Sequence, residues 1–592
     1  MYQLGLIGNC QMSALVDHSG AITWLCLPRP DSPPVFGKIL DDDGGHFSIS
    51  PVGGFKARQR YLPNTNILVT IMICEDGSEF QITDFCPRFE QHGRMYRPMS
   101  LFRIVEPIKG TPSIRVSCRP VVGWEKEPAI AIRGNSHLKY EIRGDVLRVA
   151  TNMSLTYLSE ETSFSLQEKL YFGATWGVGI KDDLGKVAHD FLDRTKNYWQ
   201  TWVKHCSIPT LFQQETIRSA LTLKLHCYED TGAILAALTT SLPEELGQGR
   251  NWDYRFCWLR DAAFVLSAFH NLGHFEEMEG FLKFLLNVAH KHEHSRERLR
   301  PVYALDQTLP LPEQEHLNWR GFLGSGPVRS NNQAAEHVQN DVYGEMILTL
   351  APIFFDERFR HLRTPEHEDL LKNLADLCIK NISKPDAGLW EFRNGWQEHS
   401  FSNLLSWAGS GRVTRIKEKG FLQALDGSWL LAAMQSAEQA IRSAVKNGGL
   451  RNGPKDESLD AALLLLPILR FPDLDLCKIT VTEIAKGLRI ESTDDVKGFL
   501  YRYARKDDFG FTKSAFLLCS FWLVQALVRT GDTDLATVIL RTTTSAGNEL
   551  GLFSEHFIPS EKRQAGNYPQ AYSHVGLINA AFAVSPGWSE IL

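Results

Sequence analysis

The chain has 592 residues, enough for about two to four domains at roughly 100–200 residues per domain. Hydrophobic residues make up 43% and charged residues 22% of the chain, ordinary globular proportions that exclude a wholly disordered or fibrous protein. The net charge of −6 comes from 63 basic and 69 acidic residues dispersed along the chain, so no basic surface for nucleic acid or an anionic membrane is indicated, and a small neutral substrate fits better.

The first ten residues lack a basic start followed by a long apolar run, which a standard export signal would show. We therefore expect a protein that is cytoplasmic by default, although a non-standard secretion route stays open. The eleven cysteines are scattered singly without a Cys-x-x-Cys pair, which predicts reduced and mostly buried thiols. Nothing in the sequence indicates the oligomeric state.

From Ile22 to about Gly179, apolar residues tend to alternate with polar ones, the period of half-buried strands. Short connections such as Glu75–Ser78 and Arg143–Asp145 are typical of hairpins. Many short strands without helices between them predict an antiparallel β-sandwich over residues 1–185. The predicted strands are 66–74, 79–85, 113–119, 138–143, 146–150 and 164–172.

Residues 186–210 are predicted to form a linking helix. Its apolar stripe runs through Val187, Phe191, Tyr198 and Trp202, a helical period that suits packing against both halves of the chain.

Over residues 211–592 the helical period dominates. Six α-hairpins closed into a ring would bury their apolar faces and gather long loops at one rim, which is an (α/α)6 barrel. The fold class is thus β plus α: an N-terminal antiparallel β-sandwich followed by a six-hairpin (α/α)6 barrel. The twelve predicted helices lie near 212–228, 259–273, 275–292, 335–354, 366–382, 401–416, 421–446, 458–469, 476–488, 513–530, 532–547 and 571–583.

Three loop segments between these helices combine aromatic residues with charged ones: Arg250–Asp261, Gly388–Arg393 and Gly551–His556. A sugar has an apolar face that stacks on aromatic rings and a rim of hydroxyls that hydrogen-bond charged groups, so this combination suits a saccharide pocket. A single pair of tryptophan and carboxylate is more often an ordinary surface contact, but three such segments favour the pocket.

Glycosidic cleavage needs one carboxylic acid that protonates the leaving oxygen and one carboxylate that activates water or attacks the sugar. Glu391 and Glu555 stand in two of these segments and could supply them. Trp390 gives Glu391 the apolar neighbour that would raise the pKa of a general acid.

Motifs of other chemistries are missing from the sequence: there is no nucleophile elbow, no phosphate-binding P-loop, no dinucleotide fingerprint and no His-Glu-x-x-His helix. The histidine cluster His290–His294 has an alternate spacing that scatters its rings around a helix, so a solvated helix end is predicted there instead of a metal site. We expect neither a cofactor nor a metal.

Several blocks of the chain, taken together and in order, resemble glycoside hydrolase family 15, the glucoamylase-type enzymes, and especially its prokaryotic branch of glucoamylases and trehalases. The resemblance covers nearly the whole chain. Its blocks are Leu6–Asn9, Ala14–Asp17, Trp24–Pro28, Arg250–Ala263, Asn340–Glu345, Leu389–Glu391, Gly551–Glu555 and Gly566–His574.

The resemblance implies the same sandwich, linking helix and barrel. It also implies that Glu391 is the general acid and that Glu555 is the general base for a water attacking from the opposite face of the sugar. Such an inverting mechanism requires the two carboxyl groups to lie roughly 6.5–9.5 Å apart.

The same resemblance implies a substrate-binding set in which Arg260 and Asp261 bind hydroxyls and aromatic rings form the walls. A buried Arg–Asp pair can also be a scaffold, and Trp407 is either a wall of the pocket or part of the core. The full set is Tyr254, Trp258, Arg260, Asp261, Trp390 and Trp407.

Some positions depart from the pattern of the prokaryotic members, among them Ser402–Asn403, Gly409–Arg412 and Lys513–Ser514. None of these changes removes a candidate catalytic carboxylate. They leave open which sugar binds on the acceptor side of the bond.

The sequence therefore predicts an inverting, exo-acting α-glucosidase that releases β-glucose from the non-reducing ends of α-1,4-glucans or malto-oligosaccharides. The nearest alternative is a trehalase that uses the same residues. A glycoside phosphorylase is a third possibility, which Glu555 argues against because phosphate would replace water. A non-catalytic saccharide-binding protein is a fourth, which the presence of both carboxylates disfavours.

Overall fold

The computed structural model describes residues 2–295, 298–491 and 498–592. The side chains of residues 292–295 are not among the described ones, so most of the histidine cluster predicted at 290–294 lies outside them. The described chain folds into an N-terminal β-sandwich, a linking helix and an (α/α)6 barrel, which confirms the predicted fold class. All eleven cysteines are free thiols and ten of them are buried.

Two antiparallel sheets form the sandwich, with one apolar core between them. The first sheet consists of Leu4–Gly8, Ser13–Asp17, Ile22–Cys26, Pro34–Phe36, His46–Pro51, Ser113–Arg119 and Phe164–Ser165. The second consists of Phe55–Tyr61, Leu68–Cys74, Glu79–Phe85, Ser100–Lys109, Ala131–Arg133, His137–Ile142, Asp145–Thr151 and Leu170–Trp176. The hairpins Phe89–Gln91 with Arg94–Tyr96 and Val121–Val122 with Glu127–Pro128, and helix α1 (Leu155–Ser159), complete this part.

The strand predicted at 164–172 is wrong as a single element. Phe164–Ser165 pairs with the first sheet, whereas Leu170–Trp176 pairs with the second. The chain crosses between the two sheets within this segment, and the alternation of apolar residues does not register the crossing because both strands bury one face.

Helix α2 (Leu184–Lys204) links the sandwich to the barrel. It starts where the Asp183 side chain accepts a hydrogen bond from the Lys186 backbone N–H, a typical N-cap. Ala188 packs in the sandwich, while Trp199 and Trp202 are buried in the main core cluster of the barrel. The helix therefore contacts both halves, as its apolar stripe predicted.

Twelve α-helices of the described residues form the barrel, which confirms the predicted count and order. The even-numbered helices α4 to α14 form a closed inner ring, in which α8 contacts the 3-10 turn Ala461–Leu464 that leads directly into α10, and the odd-numbered helices lie outside it. No helix among the described residues has both the length and the apolar character needed to cross a bilayer. The helices are α3 (Gln213–His226), α4 (Leu259–Leu272), α5 (Glu276–Ser295), α6 (Asp341–Phe355), α7 (Pro365–Lys380), α8 (Ser400–Glu418), α9 (Gly427–Ser443), α10 (Leu465–Ile468), α11 (Leu474–Gly487), α12 (Leu517–Thr530), α13 (Thr533–Thr544) and α14 (Ala571–Val584), followed by a terminal turn, α15 (Trp588–Ile591).

Short strands connect the helices at one rim of the ring. These strands are Cys227–Tyr228 with Ala233–Ile234, Cys257–Trp258 with Val302–Tyr303, Gln314–His316 with Val328–Ser330, Val445–Lys446 with Gly449–Leu450, and the three-stranded group Ala515–Phe516, His556–Ile558 and Arg563–Ala565.

The start of the sandwich is hydrogen-bonded to the loop before α14. The Tyr2 hydroxyl donates to the Gly566 carbonyl over 3.2 Å. The Asn548 amide donates to the carbonyls of Tyr2 and Leu4, each over 3.0 Å, and the Tyr568 hydroxyl donates to the Leu4 carbonyl over 2.7 Å. Because all these groups are buried, the first strand is a fixed support for that loop.

Candidate active site

Two joined compartments lie at the rim formed by the N-terminal ends of the inner helices. The inner compartment lies among the first turns of α4, α12 and α14, and the outer one lies among the loops above them. Tyr254, Trp390, Glu391 and Arg502 line both compartments, so they form the boundary between them.

The inner compartment combines aromatic walls with ionisable groups. It is lined by Ala236, Tyr254, Trp258, Arg260, Asp261, Leu389, Trp390, Glu391, Arg502, Phe516, Trp522, Glu555, Gln570 and Tyr572. Both candidate catalytic carboxylates belong to this one compartment, although they come from loops far apart in sequence.

The outer compartment is richer in charge. It is lined by Glu244, Arg250, Trp252, Tyr254, Asn332, Ala334, His337, Trp390, Glu391, Phe392, Arg393, Arg502, Tyr503, Asp507, Asp508 and Phe509. Arg250 binds both carboxylate oxygens of Asp507, at 2.9 and 2.6 Å. The two-point pairing holds both side chains in one geometry at the wall of the compartment.

Glu391 lies in the loop between α7 and α8. Its backbone has φ of +60°, a left-handed conformation that costs a non-glycine residue about 1–3 kcal/mol and is found mainly where the surrounding structure enforces it. Its Oε1 atom accepts hydrogen bonds from the Trp258 indole N–H at 2.6 Å and from the Arg260 guanidinium at 3.2 Å. The carboxyl group is therefore held by one oxygen, and Oε2 is left for the substrate.

Trp258 and Arg260 are positioned by the start of α4. Trp258 is the N-cap of that helix and ends a short strand paired with Val302–Tyr303. Arg260 lies in the first turn and donates from Nε to the Tyr572 hydroxyl over 2.7 Å.

Asp261 and Arg260 each keep a buried polar atom without a hydrogen-bond partner among the described residues: Oδ2 of Asp261 and Nη1 of Arg260. Burial raises the pKa of Asp261 to about 7, against the opposing charge of Arg260. An acceptor and a donor left free side by side suit the hydroxyl groups of a sugar.

Glu555 precedes the strand His556–Ile558 and is 3% exposed. Its backbone N–H donates to the Asn567 carbonyl over 3.1 Å, and its carbonyl accepts from Leu517 N–H at 3.1 Å. Its Oε2 atom is buried without a hydrogen-bond partner in the described residues. Burial, and then the nearby Glu244 carboxylate, hold the pKa of Glu555 well above its usual range, against the opposing charge of Arg502.

Gly566 makes room for the Glu555 side chain. Its φ is +75°, and a Cβ atom built on it would lie 2.7 Å from Glu555 Oε2 and 2.9 Å from Glu555 Cβ. Both the backbone conformation and the close approach require glycine here.

Glu244 is a buried partner of this carboxylate system. Its Oε2 accepts from Arg502 at 3.2 Å, and its Oε1 accepts from the Trp252 indole N–H at 3.0 Å. Nε2 of His556 lies 3.6 Å from Glu244 and 3.8 Å from Glu555. Burial lowers the pKa of His556 to about 3, so this imidazole is neutral.

Glu244, Glu555 and His556 are also the group of described residues whose ligand atoms, all within 4.8 Å of one another, could hold a metal ion. Arg502 at 3.2 Å and Arg250 at 3.8 Å already bring two positive charges to Glu244. A divalent cation between these carboxylates would face the repulsion of both guanidinium groups.

The structure brings together five of the six predicted substrate-binding residues, because Tyr254, Trp258, Arg260, Asp261 and Trp390 all line the inner compartment. Tyr254 and Trp258 meet edge to face, with ring centroids 5.3 Å apart. The Trp390 indole N–H donates to the Asp460 carboxylate at 2.9 and 3.0 Å, which fixes its ring as a wall.

Trp407, which the sequence left as either a wall of the pocket or part of the core, lines neither compartment. Its ring packs on Phe471, with centroids 5.0 Å apart, at the edge of a core cluster. Trp407 is two turns into α8, about 10 Å along the helix from its start at Ser400. It therefore lies below the rim where the compartments are.

The sequence analysis missed Arg502, Glu244 and Gln570, which line these compartments. Arg502 and Glu244 stand outside the aromatic-rich segments, and among 63 basic and 69 acidic residues nothing local distinguishes them. Gln570 and Tyr572 belong to the block Gly566–His574, which the sequence analysis named without assigning roles to these two residues. Their position at the start of a predicted helix was the signal that could have identified them.

Comparisons with known proteins agree with this architecture. Residues 212–582 match the family described as glycosyl hydrolases family 15, and residues 1–132 match the domain described as trehalase-like, N-terminal. The trehalase of Mycolicibacterium smegmatis is 32% identical over 98% of this chain and 90% of its own length. The trehalase of Thermoplasma acidophilum is 29% identical over 96% of this chain and 97% of its own.

Among solved structures, a bacterial glucoamylase complexed with acarbose shares the fold with a TM-score of 0.66, at 14% identity over 99% of this chain and 94% of that one. The family match covers more than half of the chain, including both candidate carboxylates. The chain therefore belongs to glycosyl hydrolase family 15 and is a glycoside hydrolase.

Proposed function

We propose that the protein is a trehalase that hydrolyses the bond between the two glucose units of trehalose with inversion at one anomeric carbon. The sequence analysis put malto-oligosaccharides first and trehalose second. The relatives that match along nearly the whole chain are named trehalase, which supports the second substrate. The likeness to a glucoamylase at 14% identity supports the fold alone.

The observation that carries the proposal is the position of Glu391 on the boundary of two compartments. A disaccharide split at its only glycosidic bond needs one binding space on each side of that bond. The inner compartment would take the glucose whose anomeric carbon is attacked, and the outer one would take the leaving glucose. Glu391 then lies beside the oxygen that joins them.

In the first half of the reaction Glu391 acts as the general acid. Its Oε1 is held by Trp258 and Arg260, so Oε2 carries the proton. This proton passes to the glycosidic oxygen while the bond from that oxygen to the anomeric carbon breaks, and the leaving glucose departs with a hydroxyl group.

Glu555 acts as the general base in the same step. Its Oε2 has no hydrogen-bond partner among the described residues, so it is free to accept a proton from a water molecule. The water oxygen bonds to the anomeric carbon from the opposite face, and its proton passes to Glu555. The elevated pKa of Glu555 makes its carboxylate a stronger base than an exposed one.

Arg260 and Asp261 would bind hydroxyl groups of the inner glucose through their free buried atoms. Trp258 and Tyr254 would cover its apolar face. In the outer compartment, Arg393 and Trp252 would flank the leaving glucose; the Arg393 guanidinium lies 4.8 Å from the centre of the Trp252 ring and is hydrogen-bonded to Gln333 and Glu313.

The test compares glucose release from trehalose, maltose and maltotriose, with the anomers followed by proton NMR before they equilibrate. Inversion of trehalose yields one β-glucose and one α-glucose, whereas retention would yield α-glucose alone. Faster release from maltose or maltotriose than from trehalose would refute the proposed substrate. Appearance of a glucose phosphate in phosphate buffer would refute hydrolysis.

The assigned roles are tested by Glu391→Gln and Glu555→Gln, which should each lower kcat on trehalose by at least about 10²-fold because each removes a proton-transfer group. Glu561→Gln is the matched control, because Glu561 is an exposed carboxylate near Glu555 that pairs with Arg563. Near-normal turnover in either catalytic variant would contradict its assignment.

A further inference from the structure

A second cavity lies in the lumen of the barrel, below the inner compartment. It has a volume of about 310 Å³ and is lined by side chains from all six inner helices, α4 to α14. Much of its wall is apolar, with Leu348, Leu405, Leu465 and Ile468 among the lining residues. The buried carboxyl group of Glu345 also lines it, and burial, followed by the nearby Asp341 carboxylate, holds the pKa of Glu345 well above its usual range. Nothing in the proposed reaction uses this space.

The length of α10 gives a reason for the cavity. This inner helix has 4 residues and continues a four-residue 3-10 turn, Ala461–Leu464, whereas its neighbours in the ring, α8 and α12, have 19 and 14. At rises of about 2.0 Å per residue in the 3-10 turn and 1.5 Å in an α-helix, this segment is about 14 Å long, against about 28 Å for α8 and 21 Å for α12. The lumen on that side therefore has less helix to fill it, and the end of α10 borders the cavity.

Trp522 separates this cavity from the active site. Its side chain lines both the cavity and the inner compartment. Phe264 reinforces the partition, with its ring 5.7 Å from Trp522 and 5.8 Å from Tyr572. A molecule in the cavity would therefore lie directly beneath the floor of the inner compartment.

An arginine lines the cavity: Arg412 from α8. Arg415 follows one turn later on the same helix and Arg470 follows the end of α10, and both of these side chains are exposed. Neither a hydrogen bond nor an ion pair from these three side chains is found within residues 2–295, 298–491 and 498–592. Burial and the repulsion of Arg415 and Arg470 lower the pKa of Arg412, and no acidic group offsets them.

A partly buried guanidinium without a counter-charge, as at Arg412, is unfavourable. A bound anion would supply that counter-charge. Arg412 is two turns along α8 from Leu405, which is about 10 Å. The cavity therefore combines one cationic side chain, Arg412, with an apolar wall.

We propose that this lumen cavity binds an amphipathic carboxylate, a molecule of the fatty-acid class. Its carboxylate contacts Arg412, and its unbranched tail lies between Leu348, Leu405 and Leu465 toward Trp522. Charge complementarity selects the head group, and the apolar walls select the tail. The site does not depend on which disaccharide the enzyme cleaves.

Calorimetric titration of the full chain with butanoate, hexanoate and octanoate tests the proposal. Affinity should rise about fourfold for each methylene group that enters the cavity. Neutral octanol should bind at least tenfold more weakly than octanoate, and inorganic phosphate should show no comparable binding. Octanol or phosphate equal to octanoate, no increase along the series, or no octanoate binding at millimolar concentration would overturn the proposal.

Two variants locate the site. Arg412→Gln should weaken octanoate binding at least tenfold, and Ser267→Trp should weaken it by placing a large ring in the cavity from α4. The matched control is Arg541→Gln, an exposed arginine of the outer helix α13, which should bind octanoate as the unchanged protein does. Melting curves without ligand verify that each variant is folded. Unchanged octanoate binding in both cavity variants would refute the assigned site.

Discussion

Gly566→Ala is expected to impair the proposed base without unfolding the protein. The added Cβ would lie 2.7 Å from Glu555 Oε2, whereas an ordinary contact begins at 3.4 Å, so the carboxylate has to move by about 0.7 Å. Displacements near 1 Å in a catalytic constellation cost about 10²-fold. We therefore expect kcat on trehalose to fall by about 10–100-fold.

The same substitution places alanine at φ of +75°, which should cost about 1–2 kcal/mol of the free energy of unfolding. Gly77→Ala separates the two effects, because Gly77 has φ of +80° and nothing within 4 Å of an added Cβ. It should lose comparable stability and keep its kcat. Steady-state kinetics and urea unfolding measure both quantities. A folded Gly566→Ala variant with kcat within twofold of the unchanged enzyme would refute the position assigned to the base.

Three further substitutions test neighbouring contacts. Trp258→Phe removes the 2.6 Å hydrogen bond to Glu391. Because a hydrogen bond to a charged group contributes about 1.5–3 kcal/mol, kcat should fall roughly 10–150-fold. An unchanged kcat would contradict this contact. Glu244→Gln removes a negative charge that raises the pKa of Glu555. In a pH–rate profile, the pH at which the base becomes protonated and activity is lost should therefore shift downward. An upward shift, or no shift, would argue against this coupling. Trp407→Phe should lower the melting temperature but leave KM for trehalose within about twofold, since the Trp407 ring packs on the core. A tenfold higher KM would indicate that Trp407 contacts the substrate.

The periodicity of apolar residues predicted the elements well, because the outer barrel helices bury one face, the inner helices such as α12 and α14 are apolar almost all round, and many sandwich strands bury alternate side chains. The periodicity did not predict where an element lies in the fold, because it shows only which face of the element is apolar. It merged Phe164–Ser165 with Leu170–Trp176 although they belong to different sheets. It also could not tell how far Trp407 lies below the rim of the barrel.

The candidate site was predictable where charged and aromatic residues are adjacent in sequence. Tyr254, Trp258, Arg260 and Asp261 all stand within one segment at the start of α4. Arg502 and its partners come together only on folding, so no local pattern reveals them.

The hydrogen bonds from Tyr2 to Gly566 and from Asn548 to Tyr2 and Leu4 join the N-terminal part of the chain to both sides of the segment that carries Glu555. The N-terminal residues thereby hold the segment that carries Glu555 in position. A barrel produced without the sandwich would lose these hydrogen bonds, and the segment would be less well ordered. Exchanging sandwiches between relatives should therefore alter turnover, even though no sandwich residue touches the sugar in the proposed complex.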